Sequence, residues 1–126
     1  MTGAAKYVVA VVDDDHRILE SLEDLLESAG HAVRLFPSAV AFLENDGYAE
    51  IDCLISDIGM PVVDGFELQR LVKAARPELP VILITGRHEM DDQQIAANQD
   101  FFQKPFDGQE LLAAVNRALQ ASHRDK

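Results

Sequence analysis

The sequence predicts an α/β fold: an open, doubly wound parallel sheet with helices on both faces. Three observations carry that expectation. Short apolar runs rich in β-branched residues recur along the chain, continuous rather than alternating, as strands buried on both faces read. Between them lie stretches with apolar residues at helical spacing, so strand and helix alternate five times, and parallel strands need such right-handed crossovers. The chain has 126 residues, about half of what a complete eight-fold barrel takes, which leaves the open sheet.

Tyr7 to Val12 reads as the first strand. Ile18, Leu22, Leu25, Leu26 and Ala29 follow at helical spacing, and Gly30 stands where a helix C-cap would. His31 to Phe36 is a second, more polar strand nearer an edge. Ser38 can cap a helix carrying Ala39, Phe42 and Leu43, which Asn45-Asp-Gly47 ends. Ile51 to Ser56 is the third strand. After the turn residues Asp64-Gly65, Phe66, Leu68, Leu71, Val72 and Ala75 form the inward face of a third helix. Leu79 to Thr85 is the fourth strand, a weaker helix spans Asp91 to Asn98, and Asp100 to Gln103 is a short fifth strand. Asp107, with Glu110 three residues on, resembles a capping box. It opens a last helix whose stripe is Leu111, Leu112, Val115, Ala118 and Leu119. The whole, residues 1–126 with a core from about 7 to 119, reads as one domain.

Twenty-two acids against eleven bases give a formal charge of −11. The imbalance is concentrated in residues 1–64, with 13 acids and 3 bases, against 9 and 8 in the remainder. Such a surface repels phosphate backbones and anionic lipid, so direct nucleic-acid or membrane binding by this chain is not expected. It favours cations. No apolar run is long enough to span a bilayer, and the N-terminus does not have the pattern of a signal peptide. The lone Cys53 has no partner for an internal disulfide and reads as a small buried hydrophobe. A cytoplasmic location is the expectation that follows.

In an open α/β sheet, ligands bind beyond the carboxyl ends of the strands. The residues there are Asp13, Asp14 and Asp15 after the first strand, Asp57 after the third, Thr85 closing the fourth and Lys104 after the fifth. Carboxylates gathered in one pocket repel one another unless a cation compensates. An oxygen-rich set without His or Cys selects a hard ion, Mg²⁺ or Mn²⁺. A carboxylate beside a hard cation, an ammonium and a hydroxyl suits phosphoryl transfer. Asp57 would attack phosphorus, the metal and Lys104 would hold the developing charge, and Thr85 would donate to a phosphoryl oxygen. The outer acids of the first helix, Glu20, Glu23, Asp24 and Glu27, read as a solvated face or part of a docking surface. The four histidines are scattered and read as surface residues, and Met60 as packing beside the site.

Four motifs, Val11-Val-Asp-Asp-Asp15, Ile55-Ser-Asp-Ile-Gly-Met-Pro61 with Gly65, Ile84-Thr-Gly86 and Lys104-Pro-Phe106, resemble those of the receiver domains of two-component response regulators. The resemblance runs from about Tyr7 to Leu119. Thr-Gly and Lys-Pro-Phe are most similar to the branch whose receivers precede a helix-turn-helix output domain in transcription regulation. The resemblance implies a flavodoxin-like sheet of order 2-1-3-4-5 and a phosphorelay switch. In it Asp57 is the phosphoacceptor and Asp13 and Asp14 are the acidic pair for Mg²⁺. The Gly59 carbonyl is a further metal ligand, Thr85 the switch hydroxyl and Lys104 the phosphate-binding lysine, with a cis peptide before Pro105 and Phe101 as the switch aromatic. It also implies a sensor histidine kinase or phosphotransfer protein as partner, catalysis limited to the chain's own phosphorylation and dephosphorylation, and a homodimer surface.

One region departs from the pattern. Thr85 and Lys104 are nineteen positions apart, fewer than such receivers usually allow, and Ala97-Asn-Gln99 replaces the usual Ala-Gly. The fourth helix is therefore expected to be altered. Residues 87 to 99, anchored chiefly by Met90, Ile95 and Ala96, are expected to be loosely held. This keeps open a receiver-fold adaptor that works without phosphorylation. A haloacid-dehalogenase-like phosphatase, with Asp13 as nucleophile and Asp15 as acid, is a further alternative. Its opening motif does not accommodate Arg17, and it leaves Asp57 to Pro61 unexplained.

Overall fold

Strand β1 (Val8–Val12) leaves Val9 to Val12 with no exposed surface, and the reason is the two layers that cover it. Val9 and Val11 pack on one side of the sheet against Leu19, Leu22 and Leu26 of helix α1 (His16–Ser28) and Leu111, Val115 and Leu119 of the final helix α4 (Gly108–His123). Ala10 and Val12 pack on the other side, against Phe42 of α2 (Ala39–Glu44) and Leu68 and Val72 of α3 (Gly65–Ala75). The remaining strands are β2 (Ala32–Phe36), β3 (Cys53–Asp57), β4 (Val81–Thr85) and β5 (Phe101–Gln103). All pair in parallel in the order β2-β1-β3-β4-β5, the doubly wound arrangement expected. In this computed structural model the described residues are 7–45, 49–60, 62–85, 101–104 and 106–123. The helix expected over 91 to 98, the loosely held 87 to 99 segment and the cis peptide before Pro105 lie outside them, as do the side chains of Phe101 and His123.

Each of the described helices starts on a side chain that accepts from its free amides. The Asp15 carboxylate accepts from Arg17 N at 2.9 Å, and Ser38 Oγ from Ala41 N at 3.0 Å. Asp64 accepts from Glu67 N at 2.9 Å, and Asp107 from Gln109 N at 2.8 Å. At the far end of α1, Gly30 N donates to Glu27 O and His31 N to Leu26 O. This crossed pair requires a left-handed residue between them, and Gly30 supplies it with φ +92°.

Some boundaries and exposures differ from expectation, each for a local reason. β3 begins at Cys53 rather than Ile51 because Asp52 is used at the sheet border: its amide donates to Val8 O and its carboxylate accepts from Val8 N at 2.8 Å. β4 begins at Val81 because Pro80 has no amide to enter the ladder, while Leu79 N turns back to Arg76 O. Leu19 belongs to the inward stripe of α1, and Ala29, at the C-cap, is exposed. His31 is not a free surface residue: half-buried, it meets Asn116 Oδ1 of α4 at 3.1 Å through Nε2 and lies 6.1 Å from the Tyr7 ring. Among the described residues, no helix is long and apolar enough to cross a membrane.

Candidate functional site

Strand order reverses at β1, which has β2 on one side and β3 on the other. Chains leaving β1 and β3 therefore diverge and leave a crevice above their carboxyl ends. Asp13 is the first residue past β1 and is fully buried. Its amide donates to Phe36 O, and its Oδ1 accepts from Asp15 N at 2.9 Å, which fixes the carboxylate over the crevice. Asp57 is the last residue of β3 rather than the first beyond it, and is 4% exposed. Asp14 is exposed beside them. Oxygens of Asp13, Asp14 and Asp57 all lie within 4.8 Å of one another. The three carboxylates could together hold a metal ion, and an all-oxygen donor set is the kind a hard divalent cation takes.

Lys104 follows β5, and its ammonium reaches across the cluster. Nζ is 3.0 Å from Asp13 Oδ2 and 3.4 Å from Asp57 Oδ1. Its backbone is anchored to the end of β4 by Lys104 N donating to Thr85 O at 2.7 Å. Thr85 itself is buried at the last position of β4, one residue past Ile84, the neighbour of Asp57 in the ladder. The sheet thus brings together Asp13, Asp14, Asp57, Lys104 and, beside them, Thr85.

Three carboxylates and one ammonium leave an excess of negative charge, and the protonation equilibria show it. Asp57 is pushed up to about 6, by burial first and then by the Asp13 charge, with Lys104 opposing both. Asp13 is also raised by burial, against the pull of the Asp15 amide and Lys104. Burial disfavours charge on Lys104 as well, but its contacts with Asp13 and Asp57 outweigh that and hold it above the usual lysine value. At neutral pH Asp57 is still mostly ionised, in a site that a second cation would relieve.

Asp15 stands apart from this group. Its carboxylate caps α1 and pairs with the Arg17 guanidinium at 3.2 Å, an arrangement suited to starting a helix and not to donating a proton in the crevice. Gly59 lies two residues beyond β3 and is exposed. Met60 is buried in the layer under the site, as expected for packing.

Gly65, which the sequence presents as a turn residue and as part of the motif around Asp57, also acts on the backbone of the site. A Cβ on Gly65 would come within 2.4 Å of Asp57 O and 2.7 Å of Ile58 Cα. The first turn of α3 therefore presses on the backbone that carries Asp57, and only glycine permits that approach. The sequence signals were the Asp64-Gly65 turn and the place of Gly65 in the motif with Asp57, and neither tells what lies against the glycine.

The family model for the response regulator receiver domain matches residues 9–116. The response regulator protein TmoT of Ectopseudomonas mendocina is 38% identical over 122 residues, covering 94% of this chain and 56% of that protein. The transcriptional regulatory protein FixJ of Bradyrhizobium diazoefficiens is 35% identical over 116 residues, covering 89% of this chain and 56% of that one. The chain thus spans about half the length of these relatives. A response regulator receiver domain protein from Clostridium thermocellum, solved by crystallography, superposes with a TM-score of 0.84 at 28% identity, covering 95% of this chain and 99% of that one. With its motifs, its sheet order and the match along most of its length in agreement, the chain belongs to the response regulator receiver domain family.

Proposed function

We propose that the chain is a phosphoryl-accepting signalling switch that takes a phosphoryl group onto Asp57 from the phosphohistidine of a sensor histidine kinase or phosphotransfer protein. The observation that carries this reading is the Lys104 ammonium lying 3.0 Å from Asp13 and 3.4 Å from Asp57 within the carboxylate cluster. An ionised Asp57 oxygen attacks phosphorus as the bond from phosphorus to the donor's histidine nitrogen breaks. That nitrogen keeps the electron pair, and an acyl phosphate remains on Asp57. Lys104, already beside Asp57, follows the charge as it moves onto the phosphoryl oxygens, and Thr85 at the neighbouring strand end donates its hydroxyl to one of them. Asp13, Asp14 and Asp57 would hold Mg²⁺ or Mn²⁺, with the Gly59 carbonyl as the further ligand that the family resemblance implies. A bound divalent cation supplies charge neutralisation for the transferring group. Apart from its own phosphorylation and dephosphorylation the chain catalyses nothing.

Receiver domains of this family are signalling domains, and the relatives FixJ and TmoT are named as regulators. For this chain we infer a cytoplasmic switch, folded as one domain over residues 1–126, whose phosphorylation changes a partner-binding face reached through Thr85, β5 and Phe101. That face also serves any homodimer. The test is labelling with acetyl phosphate and Mg²⁺, read by intact mass. The wild-type chain should gain one phosphoryl group, and Asp57→Asn, correctly folded, should gain none. Strong labelling of the variant would overturn the assignment. Beryllofluoride, which mimics the acyl phosphate, should produce an Asp57-dependent structural change. Its absence would favour the adaptor that works without phosphorylation.

A further inference from the structure

We propose that Val62 is a contact residue by which the chain engages its protein phosphodonor, an inference that deepens the proposed function and rests on it. Among the described residues Val62 is the one large apolar side chain left in solvent, 91% exposed, and the one residue other than glycine with a positive φ, at 71°. Either feature alone is ordinary. A scattered exposed apolar residue needs no explanation, and a left-handed residue in a loop is common when it is Gly or Asn. A β-branched side chain in that conformation is strained, and here it buries nothing in return.

The strain is held by the ends of the loop. Ile58 O accepts from both Met60 N at 3.0 Å and Gly65 N at 2.9 Å, closing the segment at its base. Met60 is buried below it, and Asp64 caps α3 two residues beyond Val62. The base is the backbone of the Asp57 strand itself, because Gly65 lies against Asp57 O. Val62 is thus an apolar tip on the same short loop that supports the acceptor, and outliers of this kind cluster at active sites, ligand clamps and switch regions.

The occupant follows from size and charge. A donor as small as acetyl phosphate can reach Asp57 from the crevice without touching the loop tip. A protein that brings a phosphohistidine to bonding distance must cover the rim around the crevice. That rim carries exposed Asp14, in the carboxylate cluster, and exposed Asp64, two residues from the apolar tip. The complementary surface is an apolar patch bordered by Lys and Arg.

The experiment compares two donors on three proteins: the wild-type chain, Val62→Ala and Val62→Asp. One donor is acetyl phosphate. The other is the autophosphorylated histidine kinase that labels the wild-type chain fastest in a profile of the kinases of its own source. We expect acetyl phosphate labelling within twofold of wild type for both variants. With the kinase, kcat/KM should fall about tenfold for Val62→Asp and by less for Val62→Ala, as loss of one buried apolar contact implies. Unchanged kinase labelling of Val62→Asp overturns the inference. A parallel loss with both donors does so too, since Val62 would then act on the site and not on the partner. Labelling by acetyl phosphate but by no kinase removes the proposed partner. Failure of acetyl phosphate to label the wild-type chain sinks the phosphoacceptor reading instead.

Discussion

Asp57→Asn should make the metal-free fold more stable at neutral pH, an outcome opposite to that of most substitutions of a buried charged residue. The folded protein holds Asp57 at about 6, against an ordinary value of 3.8. Each unit is worth about 1.4 kcal/mol, so its ionisation in the fold costs about 3 kcal/mol at pH 7.5. The sign is that of an acid whose folded value is raised. Between about pH 4 and 6 the folded state binds more protons than the unfolded one, so the wild-type advantage is full below pH 4 and lost as pH rises through 6. Going from pH 7.5 down to 4.5 should therefore return about 2 kcal/mol to the wild type and nothing to the variant at this position. Urea unfolding in EDTA at the two pH values measures it. The variant should exceed the wild type by about 2 to 3 kcal/mol at pH 7.5, and the gap should shrink to about 1 kcal/mol at pH 4.5. If Asp57→Asn is no more stable at pH 7.5 and follows the same pH dependence as the wild type, the carboxylate is not strained by burial and by Asp13, and the account of the crevice is wrong.

Mg²⁺ binding only the folded chain, at a hundred times its Kd, should add about 2.7 kcal/mol, and Asp13→Asn should remove most of that gain in a thermal melt titrated with the ion. Lys104→Met should raise the Asp57 value further above 6, since the ammonium is the group opposing the shift; a carboxyl carbon titration by NMR that moves down would refute the bridge. Gly65→Ala should destabilise by at least about 2 kcal/mol through overpacking, because its methyl would meet Asp57 O at 2.4 Å, and denaturant unfolding reports it. Asp52→Ala should cost about 1 to 2 kcal/mol by leaving the half-buried Val8 amide without its acceptor, with slowed exchange at that amide in the wild type alone.

The legible parts of this molecule are those whose cause is local. A continuous Val-rich run such as Val8 to Val12 can satisfy itself only between two layers, so it announces a parallel sheet. Asp15, Ser38, Asp64 and Asp107 announce helix starts because capping involves neighbours two or three residues away. The gathering of Asp13, Asp14, Asp57 and Lys104 was readable too, since polar residues just past several apolar runs must converge once the runs are parallel neighbours. What could not be read depends on contacts distant in sequence. Asp52 trims β3 because its carboxylate serves Val8, 44 residues away. His31 leaves the surface because Asn116, 85 residues on, supplies its partner.

Gly65 and Val62 mark the two kinds of position where that limit matters for function. At Gly65 the chain needs the absence of a side chain, because the α3 backbone lies against the Asp57 carbonyl; the constraint belongs to the fold and is invisible only for want of knowing the neighbour. At Val62 the fold places a side chain where none is used and in a backbone region it disfavours. Among the described residues Val62 is the one non-glycine residue with a positive φ, and sequences that specify one structure break agreement between local preference and fold mainly at functional sites. The disagreement at Val62, on the loop that also carries the acceptor's support, is what the proposed contact with a phosphodonor would account for, whereas Gly65 is accounted for by the crevice itself.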